Sequence, residues 1–251
     1  MPHPVTSNPL GHPFIVLPSV DSTNNYAMAR VQLGGVIHGT TWFARDQTAG
    51  KGQRGKSWLT APNENIMLSM VLYPPLKAAE QFLLSATVAL GCYDFYKKYA
   101  GDETAVKWPN DLYWRDRKAG GILIENSFRG PDWLHAIAGI GININQTRFP
   151  EELANAVSLK QITGKTFETE QLAQELCICI DNRYQAIVTG NTNAVISQYE
   201  QALYKLNQPV KLKKGNRVFE TFIKGVSTDG CLLTFDSIEH RFEFGEVEWI
   251  I

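Results

Sequence analysis

The residues of this chain that are best suited to chemistry lie close together, in residues 50–58, which read Gly-Lys-Gly-Gln-Arg-Gly-Lys-Ser-Trp. Three glycines are spaced among the cations Lys51, Arg54 and Lys56. Glycine reaches positive φ angles and lets a ligand approach the main chain. Exposed amide N–H groups beside Lys and Arg side chains suit phosphates and other anions. The spacing predicts an anion-binding loop, although a solvated basic turn would have the same composition.

Two phosphate-binding motifs match this loop in sequence. Residues 50–57 satisfy G-x-x-x-x-G-K-S, and the three glycines also satisfy G-x-G-x-x-G. Each motif requires a strand before it and a helix after it. Residues 40–44 are β-branched and aromatic and predict the strand, but residues 58–65 read as loop and turn. Without a helix N-terminus the dipole contribution to phosphate binding is lost, so both motifs are disfavoured.

A second polar group follows a strand that we predict at residues 104–108. The chain reads Lys107-Trp108-Pro109-Asn110-Asp111 at this point. Lys107 either extends along an apolar surface toward solvent or points into a site. Asn110 and Asp111 are ordinary turn residues after a proline.

Glycines recur inside the strands that we predict next. Gly120 and Gly121 begin one arm of a hairpin, at residues 120–125, and Gly139 and Gly141 lie in a strand that starts at residue 133. Glycine inside a strand indicates close approach of a backbone or a ligand, and a two-residue spacing places two bare patches on one face of the sheet. Either a flat ligand or a closely packed helix would fit there.

A polar triplet, Ser22-Thr23-Asn24, stands before a predicted helix that ends at Gly34 and Gly35. All three residue types are favourable helix caps. Capping alone is the simpler interpretation. The alternative is that these side chains read the polar edges of a ligand.

The remaining periodicity predicts a large mixed unit followed by a small β unit. Helices are expected at residues 77–99, 168–189 and 192–206, and strands at residues 14–17, 66–73 and 133–142. After Pro209 the pattern changes to short strands, at residues 210–213, 217–225, 230–235 and 240–250. Short strands at this spacing predict a small β-barrel of about 45 residues. We place the boundary near Asn207 and expect the proline-containing residues 1–13 to form a flexible arm.

Composition excludes several classes of protein. The chain has 251 residues, a net charge of −1 and 44% hydrophobic residues, which suits one large domain or one large and one small. The absence of a basic excess gives no case for DNA or an anionic membrane as the main partner. No apolar run reaches ~18 residues, and the N-terminus lacks the form of a signal peptide. The four cysteines and five histidines show no metal-binding spacing, so we expect reduced thiols and a cytoplasmic protein.

The order of these segments resembles the biotin protein ligases. The matching segments are Asp21-Ser22-Thr23-Asn24, Gln47, the loop at residues 50–58, Lys107-Trp108-Pro109-Asn110-Asp111, residues 117–123 (Arg-Lys-Ala-Gly-Gly-Ile-Leu) and residues 139–143 (Gly-Ile-Gly-Ile-Asn). The resemblance covers about residues 14–251. It implies an α+β fold, with a mixed β-sheet catalytic domain flanked by helices (class II synthetase-like) at residues 14–206. A small C-terminal SH3-like β-barrel would occupy residues 207–251.

The resemblance implies a two-step ligase. Biotin and ATP, with Mg²⁺, would give biotinyl-AMP, and a lysine of a biotin carboxyl carrier protein domain would then accept the biotinyl group. Some members of the family carry an N-terminal helix-turn-helix, for which the few residues before Phe14 leave no room, so we expect no DNA partner. No membrane partner is expected either, and a homodimer is left open. A lipoate ligase of the related fold is the alternative, but the tryptophan in the glycine loop and the C-terminal barrel favour biotin.

The resemblance also assigns site residues by their positions in the motifs. It assigns biotin binding to Ser22, Thr23, Asn24, Gln47, Lys51, Gly52, Gln53, Lys118, Gly121, Leu123, Gly139 and Gly141. It assigns ATP binding to Gln53, Arg54, Lys56, Trp58, Asn65 and Asn143. It assigns the reacting centre to Lys107, Asn110, Asp111 and Lys118, with Asp111 hypothesised to orient or deprotonate the acceptor lysine. The Mg²⁺ ligands are not identified.

One position departs from the pattern of the family. Many loops of the family read Gly-Arg-Gly-Arg, whereas this loop reads Gly50-Lys51-Gly52-Gln53. A glutamine donates a neutral hydrogen bond but does not offset charge. The resemblance therefore implies a site with one loop cation fewer.

Overall fold

A computed structural model describes residues 8–250, and its larger part is built on a seven-stranded mixed sheet. The strands of this sheet are β1 (Phe14–Leu17), β2 (Thr41–Ala44), β3 (Asn65–Leu72), β4 (Thr104–Lys107), β5 (Asp111–Trp114), β6 (Arg117–Arg129) and β7 (Asp132–Asn143). Their order across the sheet is β1-β2-β3-β7-β6-β5-β4. The β1–β2 pair is parallel and the other pairs are antiparallel.

Helices cover both faces of this sheet. The helices are α1 (Thr23–Leu33), α2 (Gln81–Ala100), α3 (Leu159–Thr163), α4 (Thr169–Val188) and α5 (Val195–Gln201). All eight residues of β3 are buried, because this central strand has apolar partners on both sides. Leu68 and Met70 join the large core with α2 and α4, whereas Val71 joins Ala27 of α1 in a second cluster. The larger part is therefore a three-layer α+β unit.

The strands after Asn207 form a second, five-stranded antiparallel sheet. They are β8 (Pro209–Lys214), β9 (Arg217–Val226), β10 (Leu232–Phe235), β11 (Glu239–Phe242) and β12 (Glu248–Ile250), in the order β11-β10-β9-β8-β12. Among residues 209–250 the outer strands β11 and β12 do not pair with each other, so the sheet is open. The Trp108 indole N–H donates to the Gly230 carbonyl oxygen at 2.9 Å, which joins the two sheets.

Two predicted elements differ from the structure, and one helix was not predicted. The stretch predicted as one strand at residues 240–250 is two strands, because the chain turns at Gly245 with a φ of 86°. The helix predicted at residues 192–206 is reduced to the seven residues of α5, since the chain after it pairs with β4 through the amide of Val106 and the Ala202 carbonyl oxygen at 2.8 Å. The short helix α3 was not predicted, although Ser158 and Gln161 form a capping box at its start.

The flexible arm predicted at residues 1–13 is wrong for its second half. Residues 1–7 lie outside the described residues. Leu10 is buried, and its amide donates to an Asp181 carboxylate oxygen at 2.9 Å. The Gly11 amide donates to the Gly39 carbonyl oxygen at 2.9 Å. Residues 8–13 are therefore fixed by an apolar anchor and backbone pairing that the prolines did not indicate.

The cysteines form no disulfide bonds. The four cysteines are free and buried. None of the helices within residues 8–250 has the length and apolar character needed to cross a membrane.

The contact between α2 and α4 depends on Gly91, and this generates a prediction about stability. A Cβ atom at Gly91 would lie 2.6 Å from the Cα of Ile180, which is backbone and has little freedom to move. We expect Gly91→Ala to lower the free energy of unfolding by about 1–3 kcal/mol through overpacking, despite the better helix propensity of alanine. Urea denaturation followed by circular dichroism measures this change. Ser85→Ala in the same helix is the control and should stay within about 0.5 kcal/mol; equal effects of the two changes would contradict the packing argument.

Candidate active site

A cavity of about 740 Å³ lies on the α1 face of the larger sheet. Its walls come from the start of α1, the loop at residues 50–58, strands β5 to β7 and the segment at residues 244–249 of the second sheet. This volume falls in the range of roughly 300–1,000 Å³ that is typical of small-molecule sites. The cavity is therefore large enough for a ligand of substantial size, and both sheets contribute to it.

One end of the cavity is lined by amides and hydroxyls. The Gln47 side-chain oxygen accepts hydrogen bonds from the Thr23 backbone amide at 2.7 Å and from the Thr23 hydroxyl at 3.0 Å. These two bonds fix the orientation of the Gln47 amide, because its oxygen is already engaged. The Gln47 side-chain NH₂ group is then presented as a donor. This end of the cavity is suited to the polar edge of an uncharged ring.

Behind this end, a chain of hydrogen bonds fixes Asn24. Ser69 is fully buried in β3, and its hydroxyl lies 2.5 Å from the Asn24 side-chain oxygen and 2.7 Å from the Thr23 hydroxyl. The Asn24 side-chain NH₂ group donates to a Glu125 carboxylate oxygen at 2.7 Å. Ser22 is at the N-cap position but its side chain makes no capping hydrogen bond. Capping alone, the simpler interpretation of the polar triplet, is therefore wrong.

Glycines form the floor of the cavity. Gly121 and Gly141 are register partners on β6 and β7, and a Cβ atom at Gly141 would lie 2.6 Å from the Trp58 indole nitrogen. The indole ring of Trp58 thus lies against bare backbone. A Cβ at Gly139 would overlap the Asn24 side chain, so this second bare patch admits a side chain of α1. The alternative of a closely packed helix holds at Gly139, whereas Gly141 is covered by the Trp58 ring; a flat ligand on this floor stays a prediction.

The glycine loop folds as a tight hairpin over the cavity. The Gly52 amide donates to the Lys56 carbonyl oxygen at 2.7 Å, and the Trp58 amide donates to the Gly50 carbonyl oxygen at 2.8 Å. The next regular element after the loop is β3, not a helix, as expected when both phosphate motifs were disfavoured. Arg54 has a positive φ of 55°, and its guanidinium donates to the Gly245 carbonyl oxygen at 3.2 Å. The loop is therefore connected to the second sheet.

Lys118 and Asp111 form an ion pair in the middle of the cavity. The Lys118 ammonium lies 2.7 Å from an Asp111 carboxylate oxygen, across the β5–β6 hairpin. It also lies 5.9 Å from the centre of the Trp58 ring. The carboxylate thus fixes the direction of the lysine beside the glycine floor. The hypothesis that Asp111 acts on an incoming lysine stays a prediction.

Lys107 lies deeper in the cavity, against aromatic rings. Its ammonium is 5.1 Å from the ring centre of Tyr113 and 5.2 Å from that of Trp249. Burial lowers the pKa of Lys107 to about 8, and the neighbouring charges of Lys118 and Lys56 act in the same direction. Of the two alternatives for this lysine, the structure favours the one that points into a site.

Two amides tie the loop and the β4–β5 turn to strand β6. The side-chain NH₂ groups of Asn110 and Gln53 both donate to the Ile122 carbonyl oxygen, at 2.5 Å and 3.3 Å. Gln53 therefore anchors the loop to the sheet, which a neutral amide does without introducing a charge.

The cavity is rich in positive charge. Its lining holds five cations and two carboxylates, namely Lys51, Arg54, Lys56, Lys107 and Lys118 against Asp111 and Glu248. The three cations of the loop are exposed to solvent. Cationic groups aimed into a partly enclosed site stabilise anions far more than they do in water. The geometry therefore supports a ligand that carries negative charge next to the polar end.

The structure brings every predicted site residue except Asn65 to this cavity. The predicted residues in its lining are Ser22, Thr23, Asn24, Gln47, Lys51, Gly52, Gln53, Arg54, Lys56, Trp58, Lys107, Asn110, Asp111, Lys118, Gly121, Leu123, Gly139, Gly141 and Asn143. Asn65 is instead fully buried, where its NH₂ group donates to Gln146 at 2.6 Å and its oxygen accepts from the Ile144 amide at 2.9 Å. Both ends of this amide are engaged within the protein, and its assignment to the nucleotide side stays a prediction.

Sequence reasoning missed four residues that shape the site. Ser69 and Glu125 fix Asn24, and Phe244 and Trp249 form the wall contributed by the second sheet. Ser69 is a hydroxyl in an otherwise apolar strand, and that isolated polarity was a usable signal. No local sequence feature identifies Glu125, Phe244 or Trp249 as residues of the site.

The fold and the cavity define a class of protein with a small-molecule cavity that has a neutral polar end and a cation-rich end. A model described as the biotin/lipoate A/B protein ligase family matches residues 16–143. The chain belongs to this family.

Particular relatives agree with this assignment. The bifunctional ligase/repressor BirA of Salmonella typhimurium is 31% identical over 220 residues, which cover 87% of this chain and 68% of the relative. The biotin–[acetyl-CoA-carboxylase] ligase of Paracoccus denitrificans is 29% identical over 227 residues, covering 87% of this chain and 92% of the relative. The structure of the biotin protein ligase from Aquifex aeolicus in complex with biotin and ATP is similar with a TM-score of 0.79 and 26% identity, over 94% of this chain and 98% of that one.

The hydrogen-bond chain through Ser69 generates a prediction about stability. Ser69→Ala removes the hydroxyl that lies between Thr23 and Asn24 and leaves the buried Asn24 oxygen without a donor. We expect the free energy of unfolding to fall by about 1–3 kcal/mol, measured by urea denaturation.

A double-mutant cycle with Asn24→Ala tests the pair directly. If Ser69 acts through Asn24, the two changes should show a coupling of at least about 0.5 kcal/mol. The exposed Ser197→Ala serves as the control and should show no coupling to Asn24→Ala. Strict additivity of the Ser69 and Asn24 changes would contradict this account of the network.

Proposed function

We propose that this protein is an ATP-dependent biotin protein ligase. In the first step the biotin carboxylate attacks the α-phosphorus of ATP, the bond to the β-phosphate oxygen breaks, and biotinyl-AMP and pyrophosphate form. In the second step a lysine amine of a carrier domain attacks the mixed anhydride, and AMP leaves. The observation that carries this proposal is the presence, in one cavity, of a neutral hydrogen-bonding end and a cation-rich end.

The polar end suits the ring of biotin. Biotin's fused ring carries a neutral urea group, which needs both donors and acceptors. The Gln47 NH₂ group, held by Thr23, supplies a donor, and Ser22 lies beside it in the lining. Gly121, Leu123 and Gly139, with the Asn24 side chain against Gly139, would border the ring and the valeryl chain. The carboxylate would then point toward Lys118.

The cationic end suits the phosphates of ATP. A carboxylate and a polyphosphate repel each other, so adenylate formation requires positive charge between and around them. We assign Lys118 to the contact between the biotin carboxylate and the α-phosphate, and Lys107 to the same centre with Asn110. Arg54, Lys56, Trp58 and Asn143 would border the nucleotide, with Lys51, Gly52 and Gln53 over the reacting atoms.

Magnesium would enter this site as part of the ATP substrate. Among the described residues, no group of three or more His, Cys, Asp or Glu side chains is placed to hold a metal ion. Mg²⁺ commonly binds through substrate phosphates and retained waters with one or two carboxylates. Asp111 and Glu248 are the carboxylates of the lining, so this donor set fits magnesium that is bound largely by ATP.

The second step needs water to be excluded and an acceptor to be admitted. The adenylate is a mixed anhydride that water hydrolyses, and a loop that covers it protects it. The hairpin at residues 50–58 is placed to do this. We propose a biotin carboxyl carrier protein domain as the acceptor, Asp111 as the group that orients its lysine, an SH3-like arrangement for the second sheet at residues 207–251, and a cytoplasmic location.

Pyrophosphate exchange tests the function directly. The protein is incubated with ATP and labelled pyrophosphate, with biotin, with lipoate or with neither. We expect label to enter ATP only when biotin is present. Exchange supported by lipoate alone would favour a lipoate ligase, and exchange with neither acid would contradict both assignments.

The role of Lys118 yields a further prediction on this site. Lys118→Ala removes the ammonium from the centre of the cavity, where the transition state for adenylate formation carries its charge. We expect the exchange rate to fall about a hundredfold, corresponding to ~3 kcal/mol, with an unchanged circular dichroism spectrum. Lys165→Ala, which removes an exposed lysine, serves as the control. A folded Lys118→Ala protein with nearly normal exchange would overturn the assignment.

The position of Gln53 yields a third prediction. Its neutral amide is bonded to the Ile122 carbonyl oxygen at 3.3 Å, so it adds no charge toward the adenylate. A charge-assisted hydrogen bond exceeds a neutral one by about 1 kcal/mol, which is roughly fivefold in affinity. We expect Gln53→Arg to slow release of biotinyl-AMP by a few-fold.

Stopped-flow tryptophan fluorescence measures the release of biotinyl-AMP, with Trp58, Trp108 and Trp249 of the cavity lining as reporters. Gln53→Met serves as the control, because it keeps the approximate length of the side chain and adds no charge. Arg54→Ala should accelerate release, because it removes the loop cation next to the neutral Gln53. Unchanged release in both Gln53→Arg and Arg54→Ala would mean that Lys118 and the backbone hold the phosphate without these side chains.

A further inference from the structure

The second sheet contributes an aromatic ring to the deepest cation of the cavity. Lys107 is the last residue of β4, and its ammonium lies between Tyr113 of β5 and Trp249 of β12, 5.1 Å and 5.2 Å from the two ring centres. Trp249 also packs against Tyr204 at a ring distance of 5.7 Å, and Tyr204 packs against Tyr113 at 5.2 Å. The ring faces are thus fixed by a continuous aromatic contact that runs from one sheet to the other.

We propose that Trp249 is a positioning residue for the phosphate end of the site: with Tyr113 it holds the Lys107 ammonium between two ring faces, directed at the ATP phosphates. Because this inference names a further residue of the proposed reaction, it rests on the proposed function. The role is positioning, since Trp249 acts through Lys107. Because Trp249 lies in β12, this role would make the second sheet part of the active site.

The contact has the character of an electrostatic interaction. The face of an aromatic ring carries partial negative charge and attracts a cation within about 6 Å of the ring centre, most strongly for tryptophan and where water is excluded. Both rings meet this distance. Lys107 is largely shielded from water, so the rings stand in for part of its hydration. An unclamped lysine on a four-carbon stem would have far more freedom of position.

The other charged groups around Lys107 do not replace this clamp. Asp111 is its register partner on β5 and its charge raises the pKa of Lys107, but that carboxylate is bonded to Lys118 at 2.7 Å. Lys118 and Lys56 repel the ammonium, and Glu248 of β12 is exposed. Burial is the main cause that lowers the pKa of Lys107 to about 8. Tyr113 supplies one ring face near the ammonium, and the second ring face within reach is that of Trp249.

A purely structural role for Trp249 is the competing account. The ring is partly buried in the core, and its indole nitrogen is buried without a hydrogen-bond partner among the described residues. If Trp249 only held the second sheet in place, its loss would lower stability and reduce activity equally at every pH. If Trp249 holds Lys107, its loss would change the affinity for ATP and the pH at which exchange activity falls.

Three substitutions separate these accounts. Trp249→Phe keeps a ring face, Trp249→Leu keeps burial without a ring, and Trp249→Ala admits water. ATP affinity is measured by calorimetry, and biotin-dependent pyrophosphate exchange is measured from pH 6.5 to 9.5, with thermal unfolding as a check of folding. Trp133→Leu, which removes a tryptophan outside the cavity lining, is the control.

The expected results differ in direction as well as in size. Trp249→Phe should stay within about threefold of the unchanged protein, and Trp249→Leu should weaken ATP binding by roughly tenfold with biotin affinity unchanged. The wild-type protein should lose exchange activity as pH rises through about 8, because Lys107 then loses its proton. Trp249→Leu should move this loss to lower pH, because it removes the attraction and keeps the burial, and Trp249→Ala should move it to higher pH, because water then solvates the ammonium.

Failure of the inference is distinct from failure of the proposed function. If the unchanged protein exchanges pyrophosphate and the folded Leu and Phe variants behave alike in ATP affinity and pH dependence, Trp249 has no positioning role. If the unchanged protein binds ATP without biotin-dependent exchange, the proposed function fails. In that case the ATP affinities of the Leu and Phe variants still decide whether Trp249 holds Lys107. A shift of the pH profile in Trp133→Leu would also overturn the inference.

Discussion

Gly121 and Gly141 face each other across β6 and β7, and the absence of side chains at this pair determines what the cavity admits. The patch takes the flat indole of Trp58, because a Cβ at Gly141 would overlap that ring. Any ligand that lies on this floor has to lie beneath Trp58 or displace it. The loop and the floor therefore pack together: the glycines leave space above the sheet, and the Trp58 ring occupies it.

Charge is distributed across the cavity according to how much water reaches each group. The three loop cations are exposed, so holding them beside an empty cavity costs little. Lys118 is partly covered and is compensated by Asp111 at 2.7 Å. Lys107 is covered most and has aromatic faces as neighbours, and its pKa falls accordingly. A substrate with adjacent carboxylate and phosphate groups would relieve the mutual repulsion of these cations, which links the electrostatics of the cavity to adenylate chemistry.

Much of this site could be predicted because its parts are local in sequence. Glycine spacing, the Lys107-Trp108-Pro109-Asn110-Asp111 segment and the polar triplet at residues 22–24 each carry their chemistry within a few residues. The large helices and the central strands were also evident from periodicity. The contacts that fix the site are long-range, and sequence reasoning did not reach them. Asn24 depends on Ser69 and on Glu125, which is 101 positions away, and only the topology brings Trp249 to Lys107. Asn65 illustrates the reverse case, since this polar residue at a motif position bonds within the protein: its oxygen accepts from the Ile144 amide and its NH₂ group donates to the Gln146 side chain.

The central claim is that one cavity holds the biotin ring at its neutral end and the adenylate phosphate at its cationic end. A crystal structure with a non-hydrolysable analogue of biotinyl-AMP tests this most directly. The account predicts the urea group within hydrogen-bonding distance of Gln47 and Thr23, and the phosphate mimic in contact with Lys118, with the Trp58 ring displaced from Gly141 or stacked on the ligand. An analogue bound outside this cavity, or bound within it in the opposite direction with its phosphate mimic against Gln47, would contradict the account.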